Sequence, residues 1–308
     1  MEKQAKPDQN ASKSRAPGDR VVPELALDFG RQSKLAAVVT IKDLSIKHNE
    51  SPITVMNARF TAGNGVMRLD PLEFRSVIDD SSVSSRFEVN SSSQPSSARF
   101  ELEARNINFG EILRKLKVTN EVAGTLNFNM NLNGQGKTLR EVIGSANGET
   151  QIVADKGSIP KWALEIWGGD LVRLVIPITW LEDPLSDLNC AVARFNWEDG
   201  IMRSQTLLAD TKRVTVAGEV VVNWQNEQVE GLFKPQPKDP TLFHLGTPIR
   251  LSGTLAQPKT GSAESGMYRL GKWAIGLSNP ATLVVLFGDV GAKEKNPCAA
   301  WLKTPAHD

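Results

Sequence analysis

The chain has 308 residues, 40% of them apolar and 23% charged, an ordinary balance for a folded protein with room for one large domain or two medium ones. Its 36 basic and 35 acidic residues leave a formal charge of +1, which excludes an electrostatic footprint for nucleic acid. No stretch reaches the roughly 18 to 20 apolar residues that a membrane-spanning helix needs; the run Ala281–Phe287 is too short, and Leu171–Trp180 carries Arg173 and Pro177.

Residues 1–20 hold Lys3, Lys6, Lys13, Arg15 and Arg20 among polar neighbours, with no apolar region of the kind a secretory signal requires. They read as a disordered leader or linker, because so little apolar surface cannot offset the entropy of ordering them. From there the chain is mostly strands. They are expected over 35–46, 53–61, 66–77, 84–90, 98–106, 124–133, 148–154, 188–197, 202–208, 213–224, 229–234 and 248–255. Turn signals separate them: Gly63-Asn64-Gly65, the Ser91–Ser97 run with Pro95, Asn133-Gly134 and Asp199-Gly200. Such short connections favour antiparallel neighbours. The apolar parity slips near Lys42-Asp43 and near Arg194-Phe195, which predicts β-bulges and a curled sheet.

Helices are few. Asn108 with Glu111 forms a capping-box signature ahead of Phe109, Ile112, Leu113 and Leu116, and Thr138 with Glu141 repeats it ahead of Leu139, Val142 and Ile143. Ser158 and Pro160 would open a third helix through Trp162, Leu164, Ile166 and Trp167, and a fourth is expected near 267–275.

Two strands show their faces plainly. Ala98, Phe100, Leu102 and Ala104 share one parity against Arg99, Glu101, Glu103 and Arg105; Leu126, Phe128, Met130 and Leu132 share one against Thr125, Asn127, Asn129 and Asn131. Successive strand residues face opposite sides, so each strand presents one apolar and one polar face. Val214, Val216, Val220, Val222 and Trp224 continue the apolar set further along. Two readings stand for these faces: the inner side of an ordinary sandwich core, or an open trough that shelters something apolar.

Groups that carry chemistry are scarce. His48, His244 and His307 are the only histidines, none in metal-ligand spacing, so no metal or cofactor is expected. Glu182-Asp183 and Asp79-Asp80 read as solvated turns. Ser158-Ile159-Pro160-Lys161, Ser186-Asp187-Leu188-Asn189 and Lys259-Thr260-Gly261 follow the order of the penicillin-interacting serine enzymes. The second lacks its Asn, and the third is expected in a polar loop rather than on a strand, so the match is rejected and no enzyme is expected. Cys190 and Cys298 are either a disulfide tying the C-terminal segment to the sheet or two unrelated thiols.

Several runs together resemble one family. They are Ile107-Asn108-Phe109-Gly110-Glu111-Ile112-Leu113, Gly124 to Phe128, Asn133 to Arg140 and Ser145 to Gly148, then Leu188 to Phe195, Pro235 to Asp239, Ile249 to Leu255 and Asn296-Pro297-Cys298. Gly65 to Leu72 adds a similar N-terminal strand pair. In order and spacing they resemble the AsmA family of bacterial cell-envelope proteins over roughly Val21 to Trp301.

The resemblance implies a mainly β fold, a curled and mostly antiparallel sheet forming a groove or rolled trough, with few short helices. It divides the chain into a leader (1–20), an N-terminal β repeat ending in a helix (21–117) and an AsmA-like C-terminal β domain (118–308). It implies a periplasmic protein held at the inner membrane by an N-terminal anchor that this chain lacks, so the chain reads as the C-terminal part of a longer protein or a split gene product. The expected partner is phospholipid, carried between inner and outer membrane without catalysis, with outer-membrane assembly proteins as further partners. The groove candidates are Phe100, Leu102, Leu126, Phe128, Met130, Leu132, Val214, Val216, Val220, Val222 and Trp224. The rival expectation is a scaffold that templates strand addition on its sheet edges during outer-membrane protein assembly.

Overall fold

The computed structural model describes residues 20–27, 36–48, 51–77, 79–115, 123–160, 185–212, 214–238, 248–262 and 298. Among them thirteen strands follow one another: β1 (Ala37–His48), β2 (Ser51–Gly63), β3 (Val66–Ser76), β4 (Ser82–Asn90), β5 (Ser97–Asn108), β6 (Ala123–Gln135) and β7 (Asn147–Pro160). Then come β8 (Leu185–Glu198), β9 (Ile201–Thr211), β10 (Val214–Asn223), β11 (Gln228–Pro237), β12 (Ile249–Thr254) and β13 (Gln257–Ser262). All form one antiparallel sheet in chain order, each strand beside its sequence neighbours, with β1 and β13 as its edges. The sheet is open. It passes from β5 to β6 without a break, so residues on both sides of position 117 share one ladder.

Local chemistry explains this meander. Asn64 (φ +50°) and Gly65 (φ +75°) turn β2 into β3, and Asp199 (φ +49°) and Gly200 (φ +72°) turn β8 into β9. Both pairs are left-handed at both central positions, the geometry whose twist matches the flanking strands. Gly200 is doubly constrained, since a Cβ there would meet the carbonyl oxygen of Gly144 at 2.1 Å.

Register shifts occur at both expected places, between Ile41 and Leu44 and between Arg194 and Phe195, but only the first puts the extra residue on the expected strand; in the second it is Gln205 of β9. A third lies between Ala104 and Ile107. In the first and third, a residue with positive φ, Asp43 or Asn106, donates its backbone N–H to the side-chain oxygen of an asparagine across the ladder, Asn57 at 2.8 Å and Asn127 at 2.9 Å. Each such Asn replaces the ladder partner that the extra residue has lost.

Two short helices interrupt the strands, α1 (Phe109–Lys115) and α2 (Leu139–Gly144). Asn108 Oδ1 accepts the Glu111 N–H at 2.8 Å, and Thr138 Oγ1 accepts the Glu141 N–H at 3.3 Å, as the capping signatures predict.

Four expectations are corrected. Asn133-Gly134 is not a turn: both lie in β6, and Gly134 is the point where α2 backs onto the strand, 2.2 Å from a would-be Cβ to the Val142 carbonyl oxygen. Ser158 to Pro160 does not open a helix; the segment ends β7, paired with Ser186, Asp187 and Leu185 of β8, because ladder pairing outweighs a local capping preference. The rest of that expected helix, and the fourth near 267–275, lie outside the described residues, as do residues 1–19, His244, His307 and Glu182-Asp183. Lys259-Thr260-Gly261 lies not in a loop but on β13, where it pairs with β12. Finally, a polar second face does not extend along the whole sheet. From β7 to β10 that side is apolar too, with Val153, Cys190, Val192, Leu208 and Ala217 buried in one cluster with Cys298.

The six connections that join β2–β3, β4–β5, β6–β7, β8–β9, β10–β11 and β12–β13 fall on one margin, and backbone hydrogen bonds link them in series. Ser91 N–H donates to Gly65 O, Gly136 N–H to Ser96 O, Gly200 N–H to Ala146 O, Trp224 N–H to Gly200 O and Leu255 N–H to Glu227 O. Residues 20–27 run along this margin as a strap. The Glu227 carboxylate, fully buried, accepts the N–H groups of Val21 and Val22 at 2.7 and 3.1 Å, while Leu27 N–H donates to Lys137 O at 2.9 Å.

Candidate functional site

Directly paired residues share a face of a sheet, so register alone locates the candidate residues. Phe100 lies opposite Leu132 and Leu102 opposite Met130, while Phe128 lies opposite Ala104 on one side and Ile152 on the other. The β10 valines do not adjoin these; β7, β8 and β9 intervene. They nevertheless share the face, through Leu126, Ala154, Ala191, Ala209 and Val216 as successive partners.

Two rows of partners give the extent of this face. One runs Leu44, Met56, Phe74, Val83, Ala104, Phe128, Ile152, Ala193 and Leu207, from β1 to β9. The other runs Val39, Phe60, Leu69, Phe87, Phe100, Leu132, Gly148, Trp197, Met202, Val222 and Val229, from β1 to β11. Neither row contains a charged side chain, and Trp197 is the one member of either that carries a hydrogen-bonding group. At about 4.8 Å per strand the second is roughly 48 Å long.

The side chains of this face are not sealed. Phe100, Leu102, Leu126, Phe128, Met130, Leu132, Val216 and Val220 are all partly exposed; only Val214 and Val222 of the strand candidates are buried, at 4% and 3%. Between β7 and β11 the face holds an apolar depression of about 210 Å³, lined by Ile152, Ala193, Leu207, Val216 and Phe233. Gly218 makes room for it: a Cβ there would sit 2.7 Å from the Phe233 ring.

The turn margin of the face is covered. Leu27 of the strap and Val142 of α2 are buried with Val89 and Ala98, and Met67 and Phe87 pack against them. Farther along, Val222, Val229 and Leu251 form a second cluster with Trp224. Trp224 is not on β10 but in the turn after it, where it stacks on Trp197 with ring centroids 5.5 Å apart and planes 13° from parallel. Trp197 in turn donates its indole N–H to Thr150 Oγ1 at 3.0 Å.

The opposite face of β3 to β5 is polar and ion-paired: Arg68 with Glu88, and Arg86 with both Asp70 and Glu101. These pairs are exposed and contribute solubility and register more than stability. Over β8 to β10 the same side is buried. There Cys190 and Cys298 are joined by a disulfide with Cα atoms 6.3 Å apart, and are 1% and 0% exposed. Beside it, buried Asp210 receives Lys238 Nζ at 2.8 Å, Asn189 Nδ2 at 2.7 Å and Thr215 Oγ1 at 2.5 Å, so the charge is fully matched. Glu219, also on this side, has its carboxyl pushed above the usual range by burial, with Lys234 opposing the shift.

Sequence reasoning missed the strap and the contribution of β1 to β4 to the apolar face. For the latter the signal was present, as Met56, Ala58, Phe60 and Ala62 alternate like the residues of β6. The strap had none, because its two buried side chains, Val22 and Leu27, are five residues apart in an otherwise exposed segment. Among the described residues no cluster of His, Cys, Asp and Glu could hold a metal ion. Nor does the sheet bring the serine-enzyme triplets together, since Ser158 on β7 and Lys259 on β13 are separated by β8 to β12.

No solved structure matches the chain. It is similar to the AsmA family protein YhjG of Escherichia coli (strain K12), 23% identical over 290 residues, which are 93% of this chain and 42% of that protein. The chain thus spans less than half the length of this curated relative. The model of the AsmA family matches residues 1–207, and the chain belongs to that family.

Proposed function

We propose that this protein is a non-catalytic component of the bacterial cell envelope that shields phospholipid acyl chains on its apolar sheet face, between the inner and outer membranes. AsmA family membership supports the envelope setting. The observation that carries the lipid reading is the unbroken apolar row from β1 to β11, whose members from Val39 on β1 to Leu132 on β6 stay exposed or partly exposed where a sandwich would have covered them.

The physical benefit is large. Exposing a sixteen-carbon chain to water costs on the order of 12 kcal/mol, at about 0.8 kcal/mol per methylene. A trough along Phe100, Leu102, Leu126, Phe128, Met130 and Leu132, extended by the partly exposed Val216 and Val220, removes most of that cost with no bond made or broken. The polar opposite face keeps the protein dispersed in the aqueous periplasm, and Cys190–Cys298 suits that oxidising compartment. In the full-length protein a membrane anchor would hold the sheet at the inner membrane.

Mass spectrometry of organic extracts from the gently purified protein tests this. Phospholipid is expected with the wild type and is lost from Phe128→Asp while circular dichroism stays unchanged. Equal lipid in the two proteins refutes the reading. A scaffold for outer-membrane assembly is the second reading, favoured by the exposed edge strand β1; it requires partner binding with no lipid recovered.

A further inference from the structure

We propose that Leu27 of the strap is an internal competitor for the apolar face, holding a seat at the turn margin that an acyl chain takes when the strap lifts, with Glu227 as the latch. This rests on the reading that the face carries lipid, and adds what regulates access to it.

Register shows whose seat Leu27 holds. Met67 pairs with Val89 and Val89 with Ala98, each two residues from Leu69, Phe87 and Phe100 of the long row and therefore on the same face. Val89 and Ala98 are 0% and 8% exposed beneath Leu27, whereas Leu69, Phe87 and Phe100 are partly exposed. The strap thus covers the outermost part of an apolar surface that stays accessible inward of it.

The strap is the element best placed to yield. Of residues 20–27 only Val22 and Leu27 are buried, and the segment meets its neighbours at a single bridge, Ala26 with Thr138, rather than along a ladder. Two apolar burials oppose the ordering of eight residues, which sets the strap at the low end of local stability. Further ties to Ser91, Lys137, Leu139 and Arg140 all go to connections and α2, so among the described residues lifting the strap breaks no strand pairing.

The latch is a buried charge. Val21 and Val22 both donate their N–H groups to the Glu227 carboxylate, and Glu227 sits on a left-handed backbone (φ +55°) that residues with a side chain seldom adopt. Strain of this kind gathers at clamps and switches. A carboxylate out of water needs partners; the two N–H groups serve while the strap is down, and water serves when it is up. The charge is matched in both states. A strap that is down in about nine molecules of ten lowers the apparent affinity of the covered seat about tenfold.

The test uses the 308-residue chain and sub-micellar diheptanoylphosphatidylcholine as probe, with calorimetry for binding and amide hydrogen exchange for the strap. Leu27→Asp empties the seat without altering the sheet, and is expected to bind the probe about tenfold more tightly than the wild type. Ala26→Cys combined with Thr138→Cys, at the bridged pair, is expected to lock the strap on oxidation and to weaken binding at least about tenfold relative to either single variant. Saturating probe is expected to speed exchange of the Leu27 and Leu139 amides in the wild type. Equal affinity of wild type and Leu27→Asp, equal affinity of the locked and single variants, or amides that stay protected under saturating probe overturns this proposal and leaves the lipid reading standing. A probe that binds none of these proteins overturns both.

Discussion

Phe128→Asp on β6 and Val192→Asp on β8 place the same charge on strands separated only by β7, one on each side of the sheet, and their stabilities should separate sharply. Phe128 is partly exposed on the apolar face, whereas Val192 is 1% exposed in the cluster that includes the disulfide. Fully burying a Phe side chain is worth about 1.5 to 3 kcal/mol. About half of that is at stake for Phe128, and the lower strand preference of Asp adds up to about 1 kcal/mol. The sum is about 2 kcal/mol. Unfolding entropy of about 2.1 cal/mol/K per residue converts this into a fall in Tm of about 3 °C for a chain of this length. Val192→Asp strands a carboxylate with no water around it and should cost more than about 4 kcal/mol, or block folding. Urea unfolding followed by circular dichroism measures both. Equal, severe losses would mean that the Phe128 face is a sealed core, and the open-surface reading would fail.

Two further outcomes follow from the buried side of β8 to β10. Replacing both Cys190 and Cys298 with Ala opens a loop spanning a sequence separation of 108, which in the chain-entropy model removes about 4.8 kcal/mol, or about 7 °C in Tm by the same entropy scale; a shift below about 2 °C in a thermal melt would contradict it. Glu219→Gln should stabilise the protein at neutral pH. The folded-state pKa of Glu219 is raised by burial, so the folded protein holds this proton more tightly than the unfolded chain, and stability is lost as pH rises from the ordinary carboxyl range through the raised value. The gain from Gln should therefore shrink to nothing in acid, and a gain that is constant between acid and neutral pH would rule out titration as its source.

Strand positions were legible because period-two alternation and turn chemistry are local. Gly63-Asn64-Gly65 and Asp199-Gly200 announce their hairpins through residues that tolerate positive φ, and the slip at Lys42-Asp43 marks a bulge because an extra residue inverts the parity of everything after it, whereas the shift opposite Arg194-Phe195 comes from Gln205 on β9. Only β13 went unread, since Gln257–Ser262 is polar and contains Pro258; its strand state comes from the ladder to β12. The Ser158-Pro160 helix signal was misleading for the same reason. A cap is worth about 1 kcal/mol, and three consecutive pairings with β8 exceed it.

The candidate site divides along the same line. The alternating pattern along this chain was enough to establish the greasy parity of strands such as β5, β6 and β10, and the ordered runs that resemble the AsmA family were enough to point to the family. Which side those parities share, how far the rows run and what covers them depended on register between strands, and on contacts made by residues far apart in the chain. Leu27 meets Val89 and Val142 because the sheet gathers its turns on one margin, and Cys298 meets Cys190 through a disulfide across a sequence separation of 108. A strand's own residues specify which way its side chains point; only neighbouring strands and the segments laid across them decide whether those side chains end in a core or at an accessible surface.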